Sequence, residues 1–438
     1  MEYTDFTKLN LSGFCGGSFN CGCSAEHSVS TKKILLRGSA RQQAAACAAE
    51  AQPSGHILFA CADDMYGSCA RDFERTLAGT HLVSTVRFPE RFRPSVQSSA
   101  RLVKHSEDVR LIVSYGGGAV TDVAKYAATI TGLPHVAVGS SPATDGYLSP
   151  WAELYSGEEK RTFAAKPPEY FLLDTDAALG APPVLVAAGF GAVMSKWGAL
   201  LDWSFARALT GERYCENTAR LIIRSAESVR RVSEGLIKGS RDAVLELCRA
   251  LVFCSLANQL EPGGRVRGGS EKLLADMLEM LALRRGKSCR LPGEYALISL
   301  CYTARISGMY FEKAHANVLM PPDPLRRAHL LHTELGMQQR DYYARAREHK
   351  LCEDGLFEHK LSQYRSEMHA LSLSTLEKAR WALDAFKKIY ADAGYWLSGC
   401  LLPGEMRRAF ALAAEAGGGL TVLGHLQLRG YLEHLLMA

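Results

Sequence analysis

The chain lacks most of the short motifs by which enzymes are recognised. It has no GxGxxG dinucleotide fingerprint, no GxxxxGKS or GxxxxGKT phosphate loop, no HExxH pair and no GxSxG elbow. Histidine is absent from the whole middle of the chain, with none between His135 and His315. The N-terminus carries no signal-like apolar segment, and no run approaches about 18 apolar residues. A soluble, cytoplasmic protein without a membrane span is expected. The excess of positive charge is small: 51 Lys and Arg against 46 Asp and Glu give +5. These charges are scattered, which argues against a nucleic-acid partner. The pairs Arg230-Arg231, Arg284-Arg285 and Arg326-Arg327 read as solvated helix faces. The 13 cysteines are an odd number without disulfide-framework spacing, so reduced thiols are expected. Cys15, Cys21, Cys23 and His27 form one cluster. It holds a metal in principle, but C-x-C is a poor structural-zinc spacing, and ordinary thiols are the favoured reading.

What the sequence does have is length and a glycine turn. Its 438 residues suffice for two domains with their own cores. In Leu111–Lys125 an apolar run, Leu111-Ile112-Val113, leads into Gly116, Gly117 and Gly118, and a helical pattern starts near Thr121. Strand, glycine turn and helix start form the local architecture that holds a phosphate. Glycine lets the backbone approach an anion, and the helix N-terminus supplies free N–H groups.

The flanking pattern alternates. Strands are expected at Lys33–Arg37, His56–Ala60, His81–Phe88, Arg110–Tyr115, His135–Val138 and Tyr170–Leu173, with helices between them. Alternation of this kind means a parallel α/β sheet with right-handed crossovers, Rossmann-like in kind, and ligands bind beyond its carboxyl edge. Asp63, the glycine turn and the loop Ser140–Pro150 all fall there. From about Pro182 the apolar residues recur only at helical spacing. The expected division is therefore an α/β domain over residues 1–178 and an all-helical domain over 179–438. Ser374 and Glu377 form a capping box that predicts a helix start at Thr375.

Several segments together resemble the sn-glycerol-1-phosphate dehydrogenase family. They are Gly116-Gly117-Gly118 with Asp122 and Lys125, Ser141-Pro142-Ala143-Thr144-Asp145-Gly146-Tyr147, and Ala187-Ala188-Gly189-Phe190-Gly191. That family is a branch of the dehydroquinate-synthase-like and iron-containing alcohol dehydrogenase superfamily. Cys21–His27, Lys166-Pro167-Pro168 and Gly269-Ser270-Glu271 also look similar to its bacterial form. The resemblance implies hydride transfer between NAD or NADP and dihydroxyacetone phosphate or a related phosphorylated ketone or polyol. It also implies a homo-oligomer and a cleft between the two domains. By it, Gly116, Gly117, Gly118, Ala119, Val120, Thr121 and Asp122 would line the dinucleotide together with Ser140, Ser141, Pro142, Ala143 and Ser149. Asp63 would sit near the adenosine ribose, and Asp145 would bind the substrate or else be a turn aspartate.

The family holds a divalent metal, usually zinc, by an aspartate and two histidines. The matching positions here are Ala192, Lys272 and Pro292, and a further family histidine is Asp276. Alanine and proline cannot ligate, and an ammonium repels a cation, so no metal is expected at these positions. Three readings follow: a pocket retained without catalysis, acting as a regulatory or partner subunit; metal-free catalysis using Lys272 and Asp276; or a plain i,i+4 salt bridge between those two.

Overall fold

The computed structural model describes all residues except 1–3, 39, 90–91, 288, 313–322, 336–354, 391–402, 417–419 and 433–438. The chain forms two compact units. The first takes Met1–Val193 and Cys215–Gly263, and the second takes Met194–Tyr214 and Gly264–Ala438. The first unit therefore recruits helices Glu216–Arg231 and Arg241–Leu260 from the helical half of the sequence.

The first unit opens with a small antiparallel hairpin, β1 (Ser18–Asn20) and β2 (Glu26–Ser28). Its centre is a six-stranded sheet of β3 (Lys33–Arg37), β4 (His56–Ala62), β5 (Leu82–Phe88), β6 (Val109–Gly116), β7 (His135–Gly139) and β10 (Tyr170–Asp174). The spatial order is β3-β10-β7-β6-β4-β5, and every pairing is parallel. Alternate residues of β4 serve opposite faces. Ile57, Phe59 and Cys61 pack with helices Ala40–Ala51 and Arg71–Ala78. Leu58 and Ala60 pack with helices Val96–Lys104 and Gly118–Thr131. A sheet covered on both faces explains why the strands read as nearly continuous apolar runs. From β4 the chain runs outward to β5, then returns to β6 on the other side and continues to β7. The topological switch point therefore lies between β4 and β6.

A second hairpin, β8 (Trp151–Ser156) and β9 (Glu159–Ala164), was absent from the expected elements. Its turn glycine, Gly157, has φ +66°, the left-handed conformation that glycine alone takes freely.

The second unit is helical around one core that includes Phe205, Leu274, Leu278, Ile298, Phe410 and Leu426. Three expectations need correction. The capping box at Ser374 does not start a helix, because it lies inside a 35-residue helix, Gly355–Ile389. Ser374 Oγ instead accepts from the Lys378 ammonium one turn on. Arg327 is buried rather than solvated, at 4% exposure. Finally, the helical stretches Pro183–Thr210 and Arg241–Leu260 are long and apolar enough to cross a membrane. In each, 78% of an apolar 18-residue window is buried within the protein, as in core helices.

Candidate functional site

β6 ends at Gly116, Gly117 is the cap residue, and the helix begins at Gly118, three residues earlier than its apolar pattern suggests. The Thr121 N–H closes the first turn on the Gly117 carbonyl at 3.2 Å. Gly117 has no side chain with which to cap the helix. The N–H groups of the first turn thus remain for an outside acceptor. A Cβ on Gly117 would meet nothing within 4 Å, so the turn faces open space. A Cβ on Gly118 would lie 3.1 Å from Thr144 Cγ2, which brings the turn against the following loop. Ala119 is half-buried, whereas Val120 and Thr121 are buried.

That loop, Ser140–Pro150, is braced from every side. The Ser140 N–H bonds the Gly116 carbonyl at 3.0 Å. The Tyr147 hydroxyl donates to the Ser141 carbonyl at 2.9 Å, and the Leu148 N–H donates to Ser255 Oγ at 2.7 Å. Gly189 packs so closely that a Cβ there would stand 1.7 Å from the Pro142 carbonyl oxygen. The principal brace is Lys125, whose side chain is fully buried. Its ammonium donates to the carbonyls of Gly146 (2.8 Å), Ser149 (3.3 Å) and Trp151 (2.6 Å). It also pairs with Asp122 at 2.9 Å. Asp122 Oδ2 accepts the Glu153 N–H at 3.3 Å. Burial raises the Asp122 carboxyl above its ordinary range against the pull of Lys125. Asp122 is therefore engaged with the protein's own loop. Neither Lys125's bracing role nor that of Ser255, which lies more than a hundred residues beyond Leu148, has a local signal in the sequence.

The remaining positions gather at the same sheet edge. Ser141 and Ser149 are buried, and Ser141 Oγ has no hydrogen-bond partner. Pro142 is buried and Ala143 half-buried. Asp145 is half-buried in a turn in which the Thr144 hydroxyl, rather than Asp145, accepts the Gly146 N–H at 3.0 Å. Asp63, directly after β4, is exposed and pairs with Arg87 of β5 at 3.4 Å. Arg87 carries no signal of a role in the sequence, because an arginine inside a strand pattern reads as an edge charge.

In the second unit, Lys272 and Asp276 form the expected i,i+4 pair at 3.0 Å, with side chains 16% and 13% exposed. Beside them lies a group that sequence reasoning missed. Glu271 is 1% exposed. One of its oxygens accepts the Gly269 N–H at 3.0 Å, and the other is buried without a partner. Burial and then the charge of Asp202 push Glu271 up to about 7. Asp202 itself accepts from Ser270 and from the Val422 N–H at 2.5 Å, so it caps two helices. The positions matching the family's metal ligands hold a methyl group at Ala192, the paired ammonium at Lys272 and the first residue of helix Pro292–Glu312. Two of these three side chains have no donor atom.

Residues 36–182 match the iron-containing alcohol dehydrogenase family. The fold agrees. The chain is similar to a probable glycerol dehydrogenase from Sinorhizobium meliloti 1021, with TM-score 0.57, 16% identity, and coverage of 93% of this chain and 97% of that one. It is likewise similar to an archaeal halo-thermophilic alcohol dehydrogenase from a Red Sea brine pool, with TM-score 0.59, 14% identity, and 94% and 98% coverage. The α/β region, with its glycine turn, thus matches the iron-containing alcohol dehydrogenase family model and shares its fold with these dehydrogenases.

In sequence the chain is similar to glycerol-1-phosphate dehydrogenases (NAD(P)+). The enzyme of Methanothermobacter thermautotrophicus is 33% identical over 206 residues, which is 44% of this chain and 57% of the relative. That of Bacillus licheniformis is 30% identical over 180 residues, 41% and 45% respectively. The match spans about half the length of these relatives.

Proposed function

We propose that the chain is an NAD(P)-dependent oxidoreductase acting on dihydroxyacetone phosphate or a related phosphorylated ketone, and that it works without the family's metal. The observation that carries this reading is the uncapped glycine turn at the β4/β6 switch point, facing a rigidly braced loop. The unpartnered Ser141 hydroxyl and the free first-turn N–H groups suit a pyrophosphate. In this reading Gly116–Thr121, Ser140–Ala143 and Ser149 hold the dinucleotide, Asp63 takes the adenosine ribose and Asp145 orients the substrate. Asp122 acts through Lys125 by fixing the loop. A bound nicotinamide supplies or accepts the hydride. Lys272, held by Asp276, offers a positive charge in place of the metal. A cytoplasmic location and self-assembly belong to the same proposal.

A second reading is supported by Ala192 and Pro292: a catalytically silent dinucleotide- or phosphate-binding homologue that serves as a partner subunit. One experiment separates the two. Purified protein is titrated with NADH and NADPH by fluorescence, then assayed against a panel of phosphorylated ketones with and without chelator. Binding with chelator-insensitive NAD(P)H oxidation is expected. Binding without turnover across the panel selects the second reading, and failure to bind either dinucleotide overturns the first reading and the dinucleotide-binding form of the second.

A further inference from the structure

The first unit carries another constellation of reactive groups that the proposed oxidoreductase chemistry does not use. Cys21 and Cys23 lie in the turn between β1 and β2, His27 is the central residue of β2, and Cys215 caps helix Glu216–Arg231. Their ligand atoms all lie within 4.8 Å of one another. His27 Nε2 is 3.2 Å from Cys21 Sγ, 3.0 Å from Cys23 Sγ and 3.6 Å from Cys215 Sγ. Cys21 and Cys215 sulfurs are 3.5 Å apart. A tetrahedral zinc with Zn–S near about 2.3 Å and Zn–N near about 2.0 Å sets its ligand atoms roughly 3.5–3.8 Å from one another. Three sulfurs and a nitrogen are thus gathered at close to that spacing.

The surroundings orient His27 and Cys215 for ligation. His27 Nδ1 is 2.6 Å from the Leu260 carbonyl, which only accepts. A ring proton therefore sits on Nδ1, which leaves Nε2 as the nitrogen that faces the sulfurs and can ligate. Cys215 Sγ receives the Thr218 N–H at 3.4 Å and its hydroxyl at 3.2 Å, at a helix N-terminus. Both donors and the helix dipole favour a thiolate. The C-x-C spacing proves no obstacle. Gly22 (φ +81°) and Ser24 (φ +66°) fold the turn back, so that both thiols reach His27. Cys15, counted with this cluster on sequence grounds, lies outside it and turns its thiol to the Leu11 carbonyl. The fourth member comes instead from Cys215, 188 residues beyond His27.

We propose that Cys21, Cys23, His27 and Cys215 bind one Zn2+ in a closed Cys3His site, which clasps the N-terminal hairpin to helix Glu216–Arg231. Loading releases to solvent the protons carried by the sulfurs and by Nε2 and leaves three thiolates and a neutral imidazole around the ion, a net charge of −1. Four protein ligands leave no open position, so the ion is structural rather than a replacement for the family's catalytic metal.

The test uses the full chain purified under reducing conditions without added metal. Elemental analysis is expected to find one zinc per chain. Exchange of that zinc for Co2+ should give the visible bands of a tetrahedral site and a near-ultraviolet thiolate-to-cobalt band. Cys23→Ser and Cys215→Ser should each weaken Co2+ binding at least tenfold, whereas Cys15→Ser should leave it unchanged. Thiol titration of the unmutated chain supplies a check that needs no variant: zinc should protect three thiols. Reduced, metal-free protein that takes up no Co2+ would overturn the proposal. So would a metal retained in full by Cys215→Ser, or a Cys21–Cys215 disulfide found in place of metal.

Discussion

Lys125 offers the sharpest test of how the glycine turn and its facing loop are held. Its ammonium has three protons and four acceptors within 3.3 Å: Asp122 and the carbonyls of Gly146, Ser149 and Trp151. Lys125→Met keeps the length and apolar stem of the side chain while deleting the charge. It leaves the Asp122 carboxylate inside the protein with only the Glu153 N–H, and it strips three carbonyls of a donor. Removing one partner of a buried pair costs about 3–5 kcal/mol, because the other charge is left uncompensated. The loss of the carbonyl bonds overlaps with this figure and is not simply additive. Lys125→Met should therefore lower unfolding stability by about 3–5 kcal/mol. The double variant Lys125→Met/Asp122→Asn removes the stranded charge and should recover about 1–3 kcal/mol, the usual size of coupling between contacting groups. It cannot restore the carbonyl bonds. The two measurements thus separate the electrostatic role from the bracing role. Denaturant unfolding gives the stabilities, and amide exchange over Tyr147–Trp151 reads the loop. Faster exchange there is expected in both variants, together with dinucleotide affinity weakened by tenfold or more. A single variant within 1 kcal/mol of the parent, with unchanged loop protection, would refute the reasoning.

Glu271 should give the helical unit a pH-dependent stability. Its folded value of about 7, against the ordinary 4.5, means that the folded chain holds the proton more tightly than the unfolded chain does. That contribution is whole below pH 4.5 and gone above about pH 7, and it amounts to about 3 kcal/mol. Relative to the parent, Glu271→Gln should therefore gain about this much between pH 4.5 and 8, read as a widening difference in unfolding midpoint; a difference independent of pH would count against a buried, unpaired carboxyl. Arg87 beside Asp63 suits a 2′-phosphate as well as Asp63 suits a free ribose hydroxyl. Arg87→Ala is expected to weaken NADPH binding about tenfold, the worth of one charge-assisted contact, with NADH little changed; an unaltered NADPH to NADH ratio in fluorescence titration would remove Arg87 from cofactor selection.

The parts of this molecule that were legible in its sequence are those built from local rules. The parallel sheet followed from apolar runs separated by helical patterns, since strands covered on both faces need not alternate. The glycine turn was visible because strand, glycines and helix lie within fifteen residues. What stayed hidden depends on residues far apart in sequence. Ser255 holds Leu148, and Gly189 makes room for the Pro142 carbonyl. Lys125 could be placed in a motif but given no task, because burial of a lysine cannot be read from helical periodicity. The capping box at Ser374 failed in the opposite sense. It is a correct local signal for a helix start, but packing of the longer helix overrode it, as propensities yield to tertiary context. The cysteine cluster shows the same limit most plainly. Spacing rules weighed Cys15, Cys21, Cys23 and His27 as one set and found it a poor zinc motif, and as a contiguous set it is one. A coordination sphere is defined by ligand atoms in space, and here the hairpin turn discards Cys15 while a helix cap nearly two hundred residues on supplies Cys215. The family's metal is the reverse case. Ala192, Lys272 and Pro292 are positions aligned in sequence, whereas a metal is held by donors that converge in space, and among the described residues those are Cys21, Cys23, His27 and Cys215.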